Sequence, residues 1–286
     1  MCTVRTTSNP VFRNLPAQSG GYATFGTNTA GAGQFTHAYG QQQYPEQQYQ
    51  ARPTGRAMTI DDVVTKTGIT LGVLSVSAII SYVLVHGNNA LAAPLVIGGA
   101  LVGFVLVLIA TFGRKMDNPA IVLAYAVAEG LFLGAVSYLF ANVSFGGSHA
   151  AGSSLIIQAV LGTFGVFAGM LVVYKTGAIR VTPRLTRMVI GALIGVVVLA
   201  LGNIIASFFT PGGLGLRDGG TVAIIFSLVC IAIAAFSFLL DFDAADKMIR
   251  AGVPEKQAWG VALGLTVTLV WLYLEILRLL SYFQND

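Results

Sequence analysis

Seven stretches of predominantly apolar sequence, each near the roughly 20 residues needed to cross a bilayer, constrain this chain most. They are Thr67–Val85, Ala92–Phe112, Ile121–Phe140, Leu155–Tyr174, Met188–Phe209, Thr221–Leu240 and Trp259–Leu280. In hydrocarbon no water is at hand to satisfy backbone N–H and C=O groups, so a stretch of this kind must bond internally as a helix. Only 10% of the residues are charged and 55% are hydrophobic, whereas soluble domains carry about 25% charged residues. The expected fold class is therefore all-α, a polytopic membrane protein of seven helices in a lipid bilayer. Turn signals separate the spans: HGNN at 86–89, DNP at 117–119, SFGGSHAAGSS at 144–154 and TPGGLGLRDGG at 210–220. Asn118 before Pro119 suits an N-cap with proline in the first helical position.

Residues 1–60 differ in kind. The run QFTHAYGQQQYPEQQYQAR at 34–52 has no apolar period and is expected to be a disordered tail, leaving 61–286 as the membrane domain. No continuous apolar core marks a cleavable signal peptide, so the first span is expected to serve as the uncleaved signal. Cys2 and Cys230 are too far apart in character to suggest a disulfide framework.

Basic residues sit between the spans in strict alternation. Arg52, Arg56, Lys66, Arg114, Lys115, Lys175, Arg180, Arg184, Arg187, Lys247, Arg250 and Lys256 fall on one side; Arg217 lies opposite, with Arg278 near the end of the last span. The positive-inside rule then predicts a cytoplasmic N-terminus and an outer C-terminus. The net charge of +4 reports topology and forms no nucleic-acid-binding patch, so no nucleic-acid partner is expected. No phosphate loop, dinucleotide fingerprint or metal–thiolate spacing is present. Ser137 and His149 make a poor hydrolytic dyad, since no nucleophile turn surrounds Ser137. The chain is expected not to be an enzyme, to hold no cofactor and to be a monomer.

Small or polar residues recur at three- and four-residue steps, which places them on one helix face. These are Gly99 and Gly103 in the second span, and Gln158, Gly162, Gly165 and Gly169 in the fourth. The fifth has Gly191, Gly195, Gly202 and Ala206; the sixth has Ser227, Cys230, Ala234, Ser237 and then Asp241. The seventh has Gly260, Gly264, Thr268, Trp271, Glu275 and Arg278. Such faces are expected to turn into the bundle, and Asn203 and Gln158 to bond between helices.

Three acids therefore stand out. A carboxylate at a helix centre costs about 2.5–3.5 kcal/mol even on lenient insertion scales. Glu129, between Tyr125 and Leu133 on its face, has no basic residue in its own span; it must be protonated, meet a cation or bond across helices. Glu275 lies about 24 Å along its helix from the basic side, at 1.5 Å per residue, too far to touch Asp241. It either lines an outer cation route or pairs with Arg278 three residues on. Asp241 points into the bundle near the basic end, or is solvated there with Asp243 and Asp246.

The runs FSFLLDFDAAD (236–246) and LTVTLVWLYLEILRLL (265–280), with NPAIVLAYAVAEGLFLGAVS (118–137) and TTSNPVF (6–12), resemble the Bax inhibitor-1/YccA (TMBIM) family in its actinobacterial form. The resemblance implies a seven-helix fold with the last helix near the centre. Some members are pH-sensitive calcium leak channels of the membrane, latched by an acid pair on the sixth and seventh helices with help from a basic residue after the second. Bacterial members are linked to the membrane protease FtsH as substrates and modulators. Carried over, Asp241 matches the sixth-helix acid and is a candidate calcium ligand, with no resident metal expected. Arg114 or Lys115 matches the basic cluster, beside Asp243. The second acid's position falls on Thr268, which cannot ionise, and Glu275 lies two turns later. The resemblance, taken with the three intramembrane acids, leads to an expected calcium or proton pathway or latch through Asp241, Glu129, Glu275 and Thr268 in a bacterial plasma membrane, or alternatively a regulator of an FtsH-type protease.

Overall fold

The computed structural model describes residues 55–142, 149–210 and 213–284. The tail through residue 54, with Cys2 and the TTSNPVF box, lies outside the described residues. Seven helices carry the chain: α1 (Ile60–Gly87), α2 (Ala92–Phe112), α3 (Pro119–Asn142), α4 (His149–Thr176), α5 (Pro183–Ser207), α6 (Thr221–Arg250) and α7 (Ala258–Gln284). All seven are long and apolar enough to cross a membrane. Short 3-10 turns at Asn89–Leu91 and Glu255–Gln257 lead into α2 and α7. The all-α expectation is met.

The helix ends follow local chemistry that hydropathy does not register. α1 begins at Ile60, seven residues ahead of the apolar run, because Thr59 and Asp62 form a capping box. The Asp62 N–H donates to Thr59 Oγ1 at 3.3 Å, and the Thr59 N–H donates to Asp62 Oδ2 at 2.9 Å. Two donors otherwise orphaned at the helix start are thereby satisfied. Thr59→Ala is expected to lower stability by about 1 kcal/mol, read from denaturant unfolding in detergent. α3 starts as its sequence suggests, with the Ala120 N–H donating to Asn118 Oδ1 at 2.9 Å. α6 continues to Arg250, well past Leu240, carried by the i,i+4 ion pairs Asp243–Lys247 (2.5 Å) and Asp246–Arg250 (2.9 Å). α4 takes in residues from 149 that the sequence reading gave to a loop.

α7 is the most buried helix, and it packs on α1, α3, α4 and α6. Its buried side chains include Leu265, Leu269, Leu272 and Leu277, which join Leu155 and Ala159 of α4 and Phe238 of α6 in one core. The central last helix is thus observed. α3 is the second most buried and lies tightly on α1. Gly130 and Gly134 meet α1 where a Cβ would strike the backbone of Leu74 and of Ala78. Ser81 Oγ donates to the Leu131 carbonyl across this seam at 2.6 Å. Gly99 lets α2 close onto Ala128 and Phe132 of α3.

The small-residue faces turn inward only where a neighbour exists. On α6, Ser227, Cys230, Ala234 and Ser237 are buried. On α4, however, Gln158, Gly165 and Gly169 are exposed; the inward face is Leu155, Ala159 and Thr163, with Gly162 against Ile276. On α5, Gly191 and Gly195 are exposed as well. Among the described residues that helix packs chiefly on α6, so most of its circumference is left without a helix against it. Among the described residues Asn203 bonds to no other helix. Its Oδ1 accepts from the Leu214 N–H at 2.9 Å and ties down the loop after α5.

The basic turns gather at one end of the bundle. The Met58 N–H donates to the Val253 carbonyl at 2.8 Å and the Glu255 N–H to the Arg56 carbonyl at 2.9 Å. Lys66 Nζ donates to the Glu255 carbonyl at 2.6 Å. Met116, between α2 and α3, abuts Gly260 at the start of α7.

Candidate functional site

Asp241 follows the buried row Ala234–Ser237 by one helical turn, and α7 opposes that row with Thr268. The two side chains meet: Thr268 Oγ1 donates to Asp241 Oδ2 at 2.8 Å. The same hydroxyl lies 3.2 Å from the Gly264 carbonyl in its own helix. Thr268 is buried and Asp241 is half-buried. Asp241 is therefore not an acid solvated at a helix end but a bond between the sixth and seventh helices.

The charged partners suggested by sequence do not assemble around it. Arg114 and Lys115 are exposed, and among the described residues neither forms an ion pair with Asp241. Arg114 takes a left-handed φ of 51°, while the Lys115 N–H donates to the Ala110 carbonyl at 3.0 Å to close α2. Asp243 is engaged by Lys247 on its own helix. A neutral hydroxyl thus holds Asp241 in place of a cation.

Glu129 is half-buried on α3, with Tyr125 and Leu133 buried a turn to either side. Across from it stands Gly103 of α2, where an added Cβ would run into Glu129 Oε2. The glycine leaves the room that the carboxylate fills. Among the described residues that carboxylate makes no hydrogen bond or ion pair.

Glu275 has the opposite surroundings. It is 5% exposed, and its Oε1 accepts from Arg278 Nη1 at 2.8 Å. Its Oε2 is buried with no hydrogen-bond partner among the described residues. The i,i+3 pair anticipated from the sequence is formed, and Glu275 is kept apart from the Asp241 contact.

One polar contact had no sequence signal. Ser137 of α3 lies 2.7 Å from Tyr273 Oη of α7 and donates to the Leu133 carbonyl at 2.6 Å. With its own proton given to the backbone, Ser137 accepts from Tyr273. The hydroxyl is committed to holding α3 on α7, which removes it further from any nucleophilic role; the His149 side chain lies outside the described residues. Ser and Tyr are common in spans, and only the fold pairs these two.

No three His, Cys, Asp or Glu side chains cluster to hold a metal among the described residues. Asp241, Glu129 and Glu275 stand as separate carboxylates. Isolated acids of this kind can meet a cation or proton in passage, whereas tight retention of Ca²⁺ takes six to eight oxygens.

The chain is similar to an uncharacterized protein of Chlamydia muridarum (strain MoPn / Nigg), with 33% identity over 101 residues. That match takes in 34% of this chain and 39% of the relative, so it spans well under half of either. Far wider is the match to the family described as Bax inhibitor 1 like, which runs over residues 9–285. With seven apolar helices, a central last helix and the sixth–seventh helix contact at Asp241, the chain belongs to the Bax inhibitor 1 like family.

Proposed function

We propose that this protein is a passive cation leak of the Bax inhibitor-1 type in a bacterial plasma membrane, passing calcium in a pH-sensitive manner through Asp241. The supporting observation is that Asp241 joins α6 to α7 through a neutral hydroxyl. A carboxylate locked to arginine would keep its charge, whereas one facing a threonine is free to bind a proton or a cation. Glu129, with room made by Gly103, offers a second carboxylate on such a route. Glu275, neutralised by Arg278, braces the fold. This is transport without catalysis, with the basic face toward the cytoplasm.

The test is calcium entry into liposomes holding the purified protein, followed at several pH values around neutrality. Flux above that of empty vesicles and a pH response lost in Asp241→Asn are expected. Flux equal to that of empty vesicles, or an unchanged pH response in the variant, defeats the proposal.

A second reading is a regulator or substrate of an FtsH-type membrane protease, favoured by the Gln- and Tyr-rich run at 34–52. Deleting residues 1–55 should then abolish co-purification with the protease while sparing the membrane domain. Failure of the intact chain to retain any protease rules this reading out.

A further inference from the structure

A cleft of about 480 Å³ opens at the basic end of the bundle, between the α4–α5 turn and the last two turns of α6. Its walls carry four cations, Lys175, Arg180, Lys247 and Arg250, and two acids, Asp243 and Asp246. The acids are already matched, Asp243 with Lys247 at 2.5 Å and Asp246 with Arg250 at 2.9 Å. Lys175 and Arg180 remain, and among the described residues neither has an acidic partner. The cleft therefore keeps two positive charges that the protein does not neutralise.

Its position in the fold narrows what could supply the missing charge. Lys175 stands one residue from the end of α4 at Thr176, where an apolar span gives way to a polar turn. That is the level of lipid headgroups at the edge of the hydrocarbon. Tyr174 lines the cleft and packs on Phe242 with ring centroids 5.9 Å apart, so the charged side chains have an aromatic neighbour. The volume lies within the roughly 300–1,000 Å³ of small-ligand sites. Basic pockets between membrane helices suit anionic lipid headgroups, because the site meets phosphate and acyl chain together.

We infer that this cleft binds the phosphodiester headgroup of an anionic phospholipid from the leaflet at the basic end, held by Lys175 and Arg180. The two cations can each meet one of the two non-bridging oxygens of a phosphodiester. The bound lipid would link the α4–α5 turn to α6, the helix that carries Asp241.

The full-length protein, extracted into mild detergent with a mixture of phosphatidylglycerol and phosphatidylcholine, is analysed by native mass spectrometry for retained lipid. Preferential retention of phosphatidylglycerol is expected. Lys175→Gln with Arg180→Gln should reduce that preference about thirtyfold, since each basic residue near an anionic surface is worth about 1 kcal/mol and about 1.4 kcal/mol is tenfold. Lys256→Gln, at the same end but outside the cleft, should leave it intact. Both substituted side chains are exposed, so an unchanged melting temperature is expected to accompany the loss. Equal retention of the two lipids by the unmodified protein, or an undiminished preference in the double variant, overturns the assignment. So does binding of inorganic phosphate alone without lipid preference.

Discussion

Arg278→Leu is expected to destabilise the bundle by about 3–5 kcal/mol, the range for stripping one partner from a buried ion pair. Glu275 is nearly inaccessible, and among the described residues one of its oxygens already lacks a hydrogen-bond partner. The bond from Arg278 Nη1 is what compensates the other. Without the guanidinium, the carboxylate is left bare of hydrogen bonds among the described residues, with Arg217 its remaining neighbouring cation. The double variant Glu275→Leu with Arg278→Leu should recover most of the loss, because two apolar side chains of similar size can replace a buried pair at little or no cost. Unfolding curves in detergent distinguish the cases. If single and double variants unfold at the same denaturant concentration, the bare-carboxylate explanation is wrong.

Gly134→Ala should be strongly damaging for a glycine substitution in the membrane region, at about 1–3 kcal/mol. Its Cβ would meet the Ala78 carbonyl and lie 2.8 Å from Ser81 Cβ. A backbone carbonyl cannot swing aside as a flexible side-chain tip can. α1 and α3 would have to part, stretching the Ser81–Leu131 hydrogen bond. Gly165 of α4 makes the matched control, since nothing lies within 4 Å of its Cβ position. Gly165→Ala should stay within about 0.5 kcal/mol of the parent, as surface changes do. Equal effects at the two positions would show that glycine flexibility, not helix contact, governs both.

These two glycines also show how far the sequence could be read. Gly165 belongs to the small residues read at helical spacing and Gly134 is not among them, because spacing alone cannot say which faces find a neighbour. On α6 the pattern located the packed face through Ser227, Cys230, Ala234 and Ser237. On α5 the same pattern at Gly191 and Gly195 is exposed, because the neighbour that would cover it is a property of the tertiary arrangement. The spans themselves were legible because hydrocarbon imposes length and polarity directly on the chain. Their ends were not, where polar chemistry took over: the Thr59–Asp62 box lengthened α1, and paired charges lengthened α6. Glu275 with Arg278 could be read because both lie on one helix at a fixed offset. Asp241 with Thr268 joins residues far apart in the chain, and the threonine entered only as a position where a second acid was expected.

That threonine changes what protonation does at the sixth–seventh helix contact. Two facing acids need one shared proton to stay together, so gaining or losing it makes or breaks the link. A hydroxyl can act in either sense. Toward a charged Asp241 it donates, as in the 2.8 Å bond observed. Toward a protonated Asp241 it accepts, turning its own hydrogen to the Gly264 carbonyl 3.2 Å away. The helices stay joined in both states, and only the charge at their junction changes. Acidity at this point would therefore act as a dimmer on the local field, without working as a mechanical clasp.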